Sequence, residues 1–323
     1  MRNLLLNALA SSAILCAQTT LTPRAVLDAT VSAASVLPSR VFFDGVRLVG
    51  DEIYASYKSQ VQPRKSGVIR LSMIGALLGS VSLPVETSEV VIDEAGKLTA
   101  LVWLPDKTME VRLYSPEGQV VTSHLLSGIY RALTLGGTPI LLRSDGVMLP
   151  CPGPPAVSFP AITISGLSRR FHLTEVNDHT VAIVDAFQPT MNLVDIAASS
   201  VRPVVIDAPA VSEAMRKTDT VMAYAPTQTA RPLLFFAASG SNGHLYLAVS
   251  GTKIADGMSL IEVGQEADLI GSFRLLPAAV NRLKQEGNPN GWVLQYKFSI
   301  AGSTIITISS SGIISLYQKG KGL

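Results

Sequence analysis

Cysteine is almost missing from this chain: 323 residues contain two, Cys16 and Cys151. Cys16 falls within an N-terminal apolar segment, and removal of that segment would leave Cys151 alone. One thiol closes no intramolecular bridge, so a disulfide framework is excluded and a hydrophobic core must hold the fold. Charge is sparse as well. Asp, Glu, Lys and Arg make up 15% of the chain and the net charge is +2. So small a balance, with no block of like charges, excludes nucleic acid as the expected partner and excludes a charged disordered tail. The four histidines are His124, His172, His179 and His244. None forms an i, i+4 pair or neighbours a cysteine, so metal-ligand spacing is absent and each reads as a polar strand residue. Long apolar runs are missing too. The stretch 4–15 is shorter than the roughly 20 residues that a bilayer-spanning helix needs.

Residues 1–18 instead read as an export signal. Arg2 supplies the positive n-region, 4–15 the apolar h-region, and the small residues around Cys16-Ala17 a cleavage site, with the mature chain starting near Thr19. The alternative is a buried N-terminal helix. Lipid attachment at Cys16 is disfavoured because bulky Leu15 stands where a bacterial lipobox carries Gly, Ala or Ser. The expected location is therefore periplasmic or extracellular, with no transmembrane span after signal removal.

What the chain has in quantity is apolar residues, at 47%, distributed in short runs. Residues 90–126, VVIDEAGKLTALVWLPDKTMEVRLYSPEGQVVTSHLL, set the pattern. Four apolar runs (90–92, 98–104, 109–114 and 120–126) are separated by Asp93-Glu94-Ala95-Gly96, Pro105-Asp106-Lys107 and Ser115-Pro116-Glu117-Gly118. These turn clusters supply the positive-φ and fixed-φ positions that tight reversals need. Short β-branched runs between turns are strands, and four in series make an antiparallel meander. A recurring four-stranded unit of about 40 residues is the signature of a propeller blade.

The same rhythm recurs along the chain. A unit at 46–83 precedes the pattern, and a less regular one at 129–164 follows it through the proline-rich stretch 151–160. A cleaner unit occupies 171–206, another 233–275, and the last three strands are 292–300, 304–308 and 313–317. Asp207–Pro232 reads as an insertion, with a possible helix at 211–217; a second connector, 277–290, has one at 279–285. The final set is one strand short, while 39–43, ending at Asp44-Gly45, is one strand over. Ring closure resolves both: the N-terminal strand completes the last blade and removes the open edges. The expected fold is thus an all-β, six-bladed propeller over 39–323, preceded by a linker at 19–38. Seven blades or a large β-sandwich are the alternatives.

The run Val91-Ile92-Asp93-Glu94-Ala95-Gly96-Lys97-Leu98, followed by residues 111–120, resembles an NHL-type repeat: apolar–Asp–x–x–Gly–x–apolar, a strand, a polar turn with Gly and a further strand. Fainter echoes occur at 191–206 and 260–275. The Asn-Arg/His pair that usually precedes the third strand of such repeats is missing. With its signal peptide and divergent blades, the chain is similar to secreted bacterial six-bladed propellers. That resemblance implies a fold and leaves the ligand open.

No catalytic set is visible. A propeller enzyme of the lactonase type would converge carboxylates and Asn in the tunnel around a hard cation. Here Asp93, Glu94, Glu117 and Asp178 are explained by turns. Ser250-Gly251-Thr252-Lys253 matches Ser-x-x-Lys but falls in a hairpin rather than a helix. Gly240-Ser241-Asn242-Gly243 is a turn with no helix behind it to cradle phosphate. Trp103 and Trp292 read as blade-packing residues, and Cys151 as a small buried hydrophobe. No cofactor is expected.

One asymmetry remains. If strand phase alternates the connections between two faces, the face with blade-to-blade loops collects more cations than acids. Arg131, Arg169, Arg170, Arg216, Lys217 and Arg231 are its candidate binding residues. The opposite turns hold Asp51, Asp93, Glu94, Glu117, Asp178, Glu266 and Asp268. Ligand contacts concentrate on loops held by a rigid scaffold. The expectation is therefore a monomeric, non-enzymatic binding or scaffold module for a protein, peptide or glycan. A metal-dependent propeller hydrolase and a structural subunit of an envelope assembly are the alternatives.

Overall fold

A computed structural model describes residues 18–59, 61–151, 160–165, 171–186, 188–208, 211–212, 235–241, 243–249, 258–266, 268–276 and 297–320. The described chain opens with two short strands, β1 (Thr19–Leu21) and β2 (Ala25–Asp28), and one helical turn, α1 (Ala29–Ser32). Six four-stranded antiparallel units then form the ring. Blade 1 holds β3 (Val41–Val49), β4 (Glu52–Ser59), β5 (Ser66–Ser72) and β6 (Leu77–Leu83). Blade 2 holds β7 (Thr87–Ile92), β8 (Leu98–Trp103), β9 (Met109–Tyr114) and β10 (Val120–Leu126). Blade 3 follows with β11 (Tyr130–Leu135), β12 (Thr138–Arg143), β13 (Val147–Pro150) and β14 (Ile162–Thr163). Blade 4 comprises β15 (Phe171–Asn177), β16 (Thr180–Asp185), β17 (Thr190–Asp195) and β18 (Ser200–Val205). Blade 5 comprises β19 (Phe235–Ser241), β20 (His244–Val249), β21 (Met258–Val263) and β22 (Leu269–Leu275). In blade 6, β23 (Lys297–Ala301), β24 (Thr304–Ile308) and β25 (Ile313–Gln318) are joined by β2 as the outer strand.

The ring is a closed one. Six buried apolar clusters occupy its interfaces, one between each pair of neighbouring blades. Tyr54, Val68 and Val81 of blade 1, for example, pack on Ile92, Leu98 and Tyr114 of blade 2. The blade 6–blade 1 seam has its own core, with Ile306, Ile308 and Ile314 against Phe43, Ile53 and Ile69. A second strand, sandwiched between two blades, is buried on both faces, which is why β8 is apolar on both sides apart from the buried Thr99. An outer strand faces solvent on one side, and β6 alternates accordingly.

The turns of the repeat also have physical reasons. Buried Asp93 accepts from the backbone N–H of Ala95 (2.9 Å) and of Lys97 (2.8 Å), closing the reversal between β7 and β8. Gly96 has φ of 76° and lies so close to the Tyr54 hydroxyl of blade 1 that a Cβ would collide with it. Asp and Gly of the repeat thus fix a turn and seat the neighbouring blade.

Closure uses a different segment from the one expected. The N-terminal strand that completes the last blade is β2, paired antiparallel to β25 with Ala25 opposite Leu316 and Asp28 opposite Ile313. Residues 39–43 do not close the ring; 41–43 belong to β3, the inner strand of blade 1. Asp44-Gly45 looks like a turn but is a bulge, where the β3–β4 register slips between Phe43 and Gly45. The chain stays extended there because Asp44 finds partners on the adjacent strand: Ser56 Oγ donates to it at 2.6 Å and Lys58 pairs with it at 2.9 Å. Within the expected linker 19–38, β1 pairs in parallel with β22, so the N-terminal segment straps the outer edges of blades 5 and 6. The proposed helices at 211–217 and 279–285 lie outside the described residues, apart from helical Val211 and Ser212.

A second tie crosses the blade 5–blade 6 seam. The Glu262 carboxylate on β21 is 5% exposed. It accepts from the Tyr246 hydroxyl (2.6 Å) and from Lys319 Nζ (2.8 Å), and lies 2.7 Å from His244 Nδ1. Lys319 also stands over the Tyr246 and Phe273 rings, at 4.7 and 5.3 Å from their centroids. Burial alone would raise the Glu262 pKa, but the hydrogen bonds from Lys319, Tyr246 and His244 outweigh it and hold the carboxyl below its ordinary range. No helix among the described residues is long and apolar enough to cross a membrane.

Candidate functional site

The six inner strands, β3, β7, β11, β15, β19 and β23, run in the same sense around a central tunnel. The N-terminal ends of five of them ring one mouth, on the side of the blade-to-blade loops; residues from β3, β15, β19 and β23 reach the other, on the side of the hairpin turns. Between the mouths the tunnel narrows to 210 Å³ of space, lined by Val90, Ala132, Thr134, Thr174, Phe298 and Ser299, with Glu89 and Glu175 towards opposite ends. Among the described residues, no group of three or more His, Cys, Asp or Glu is placed to hold a metal ion.

The loop-side mouth opens into a cavity of 590 Å³. Six of its lining positions are apolar or aromatic: Phe42, Val90, Trp103, Met109, Ile129 and Tyr130. Its charges come from four blades. Asp44 on β3 is held by Ser56 and Lys58 as described, and Lys58 also donates to the Ser88 carbonyl of blade 2 at 3.1 Å. Glu89 on β7 receives Arg131 Nε at 2.9 and 3.0 Å and the Ala132 backbone N–H at 3.2 Å. Arg131 further lies over the Phe171 ring at 5.6 Å. Burial works against the Arg131 charge, yet the Glu89 carboxylate overcomes it and raises the guanidinium pKa. His172 lines the same cavity.

Lys297 is the remaining charge. It is the first residue of β23 and its half-buried side chain lines the cavity. Its amine makes no hydrogen bond or ion pair with any described residue. Burial, reinforced by the positive Arg131, pushes its pKa below the ordinary lysine value, against opposing pulls from Asp44 and Glu89. The cations lining this cavity are Arg131 and Lys297 and its carboxylates are Asp44 and Glu89, with Lys58 beside them paired to Asp44.

The opposite mouth is more acidic. Its cavity of 730 Å³ is lined by Glu94, Glu175 and Asp178 with the single cation Arg47 among them. Arg47 lies 3.9 Å from Glu94 and 4.0 Å from Glu175. Glu175 accepts from the Gly136 N–H at 3.1 Å. Burial raises its pKa, and Glu94 and Asp178 add to the rise, while Gly136 and Arg47 oppose it.

Of the six cations singled out from sequence, Arg131 stands at the loop-side mouth, paired with Glu89. Arg169, Arg170, Arg216, Lys217 and Arg231 lie outside the described residues, as do Trp292 and the Ser250–Lys253 stretch. Trp103 packs at the blade 2–blade 3 interface and also lines the cavity. Cys151 is buried, and burial pushes its thiol up to about 11, so it is an inert core group. Sequence reading overlooked Lys297. Within the strand read from sequence as 292–300, nothing local distinguishes Lys297 from a solvated strand residue.

No protein-family model matches the sequence, and no curated protein matches it. Solved structures do, at low identity. A BamB from Moraxella catarrhalis is 10% identical, with 87% of this chain and 95% of that one covered and a TM-score of 0.41. A virginiamycin B lyase from Staphylococcus aureus is 9% identical, with 91% and 98% covered and a TM-score of 0.41. A Bacteroides fragilis protein proposed to be exported is 12% identical, with 89% and 87% covered and a TM-score of 0.47. At such identities and TM-scores the likeness carries no argument about fold, ligand or role. By its own strand pairing, the chain is a six-bladed β-propeller closed through its N-terminal segment.

Proposed function

We propose that this chain is an exported, non-enzymatic binding or scaffold propeller that recognises a protein, peptide or glycan on its loop face. The observation that carries this reading is the loop-side mouth: a concave cavity with aromatic walls that also places Arg131 and Lys297, built on inner strands that the ring holds rigid. Ligand sites are concave and mostly apolar, with a few placed polar groups. The loop cations Arg169, Arg170, Arg216, Lys217 and Arg231 would add a positive field outside it and steer an anionic partner towards the mouth.

The test is charge reversal on the loops. The Arg169→Glu, Arg170→Glu, Arg216→Glu, Lys217→Glu variant and the wild-type chain are compared against immobilised envelope extract, a peptide array and a glycan array. Capture of an anionic partner should fall at least tenfold in the variant and fall with added salt. Identical partner sets for both proteins would refute the loop face. N-terminal sequencing of the protein recovered outside the cytoplasm should begin near Thr19, as the export reading requires.

A further inference from the structure

The charges of the loop-side mouth are not equally engaged. Glu89 is satisfied by Arg131 and the Ala132 N–H, and Asp44 by Lys58 and Ser56. That leaves one ammonium lining the cavity, Lys297, without a hydrogen-bond or ion-pair partner among the described residues. A half-buried ammonium that has lost water and gained no acceptor is costly, and a ligand that supplies the acceptor recovers the cost. The surroundings define the rest of that ligand. Phe42, Trp103, Met109 and Ile129 offer apolar wall, and 590 Å³ is within the range of small-ligand cavities. A monoanion matches the single open cation; a dianion such as a phosphate monoester would bring its second charge against Asp44 and Glu89.

We propose that the loop-side mouth binds a monocarboxylate carried on an apolar or aromatic body, with Lys297 as its counter-ion. This deepens the loop-face reading and rests on it. A peptide C terminus ending in a large apolar residue and a free organic acid share this chemistry.

The probes are N-acetyl-L-phenylalanine, N-acetyl-L-phenylalaninamide and octanoate, titrated calorimetrically into the full exported chain. The aromatic acid should bind, and its amide should bind at least about tenfold more weakly, because a charge-assisted hydrogen bond is removed. Lys297→Met should lose about tenfold or more towards the acid and little towards the amide, whereas Lys297→Arg should retain part of the affinity. Tighter binding of the acetylated amino acid than of octanoate identifies a peptide terminus as the source; the reverse order identifies a free acid. A second measurement uses the unmutated protein. Its lysines are reductively methylated with ¹³C and followed by NMR, and the Lys297 signal should titrate below the other lysines and move upward in pH when the acid saturates the site. The proposal is overturned if acid and amide bind alike, if neither carboxylate binds at millimolar concentration, or if the Lys297 signal does not respond. Any of these, with the loop charge-reversal variant still losing its partner, removes this site and leaves the loop face standing. A Lys297-dependent carboxylate site alongside unchanged partner capture does the opposite.

Discussion

Lys319 and Lys297 stand at the two ends of blade 6, one just beyond its third strand and the other at the start of its inner strand. Both are drawn in among aromatic side chains. Lys319 meets Glu262 and the rings of Tyr246 and Phe273, and its partner carboxylate is in turn bonded to Tyr246 and lies beside His244. Lys297 meets a cavity. A buried charge whose partners are all present serves the fold, because removing any one of them strands the others. A half-buried charge with no partner among the described residues adds nothing to stability through them, and its place at a tunnel mouth suits a ligand. The contrast sets a lysine with a carboxylate partner beside one with none among the described residues.

The sharpest way to break this contrast is Lys319→Ala. It leaves Glu262 in a 5% exposed position with one charge partner fewer and should cost about 3 kcal/mol of unfolding free energy, measured by urea titration. Acid provides a second probe. The folded Glu262 pKa is depressed, so its stabilisation is present above the unfolded value of about 4.3 and is lost as pH falls through the folded pKa. Wild-type stability should therefore drop more steeply below about pH 4 than that of Glu262→Gln, by about 1–2 kcal/mol. Arg131→Ala should cost about 1 kcal/mol or less, since the guanidinium is 46% exposed and its pair with Glu89 is screened. Lys297→Met should change stability by less than about 1 kcal/mol, in the stabilising direction, because it removes a half-buried charge that has no partner among the described residues. A loss as large as that of Lys319→Ala would erase the distinction between the two lysines. The smallest effect belongs to the turn-side mouth. Glu175→Gln keeps an acceptor for Gly136 but removes a carboxylate whose pKa is raised, so at neutral pH it should stabilise by about 0.5 kcal/mol.

Much of the ring was legible in the residues themselves. In 90–126 the alternation of apolar runs with Asp93-Glu94-Ala95-Gly96 and Ser115-Pro116-Glu117-Gly118 specified four strands, and four strands are there. Each of those signals acts within a few residues: a side chain that caps its own turn, a glycine with positive φ, a run that needs burial on both faces. Asp44-Gly45 shows where the signal fails. The same dipeptide chemistry serves a turn or a bulge, and the partners that decide between them, Ser56 and Lys58, sit on another strand. The candidate site was less legible. Arg131 reads in sequence as a candidate binding cation of the loop face, yet Glu89 from the preceding blade pairs with it, and Lys297 is not singled out.

Composition and local pattern by themselves determined a disulfide-free, all-β chain of four-stranded repeats whose two ends must meet, because short amphipathic strands and their turns are encoded residue by residue. Only the tertiary structure decided that Ala25–Asp28 is the strand that seals the ring and that Lys297 lines the loop-side cavity with no partner among the described residues. Both depend on which distant segments are brought within hydrogen-bonding reach once six blades are packed in a circle. That is a property of the closed ring, and no single stretch of sequence carries it.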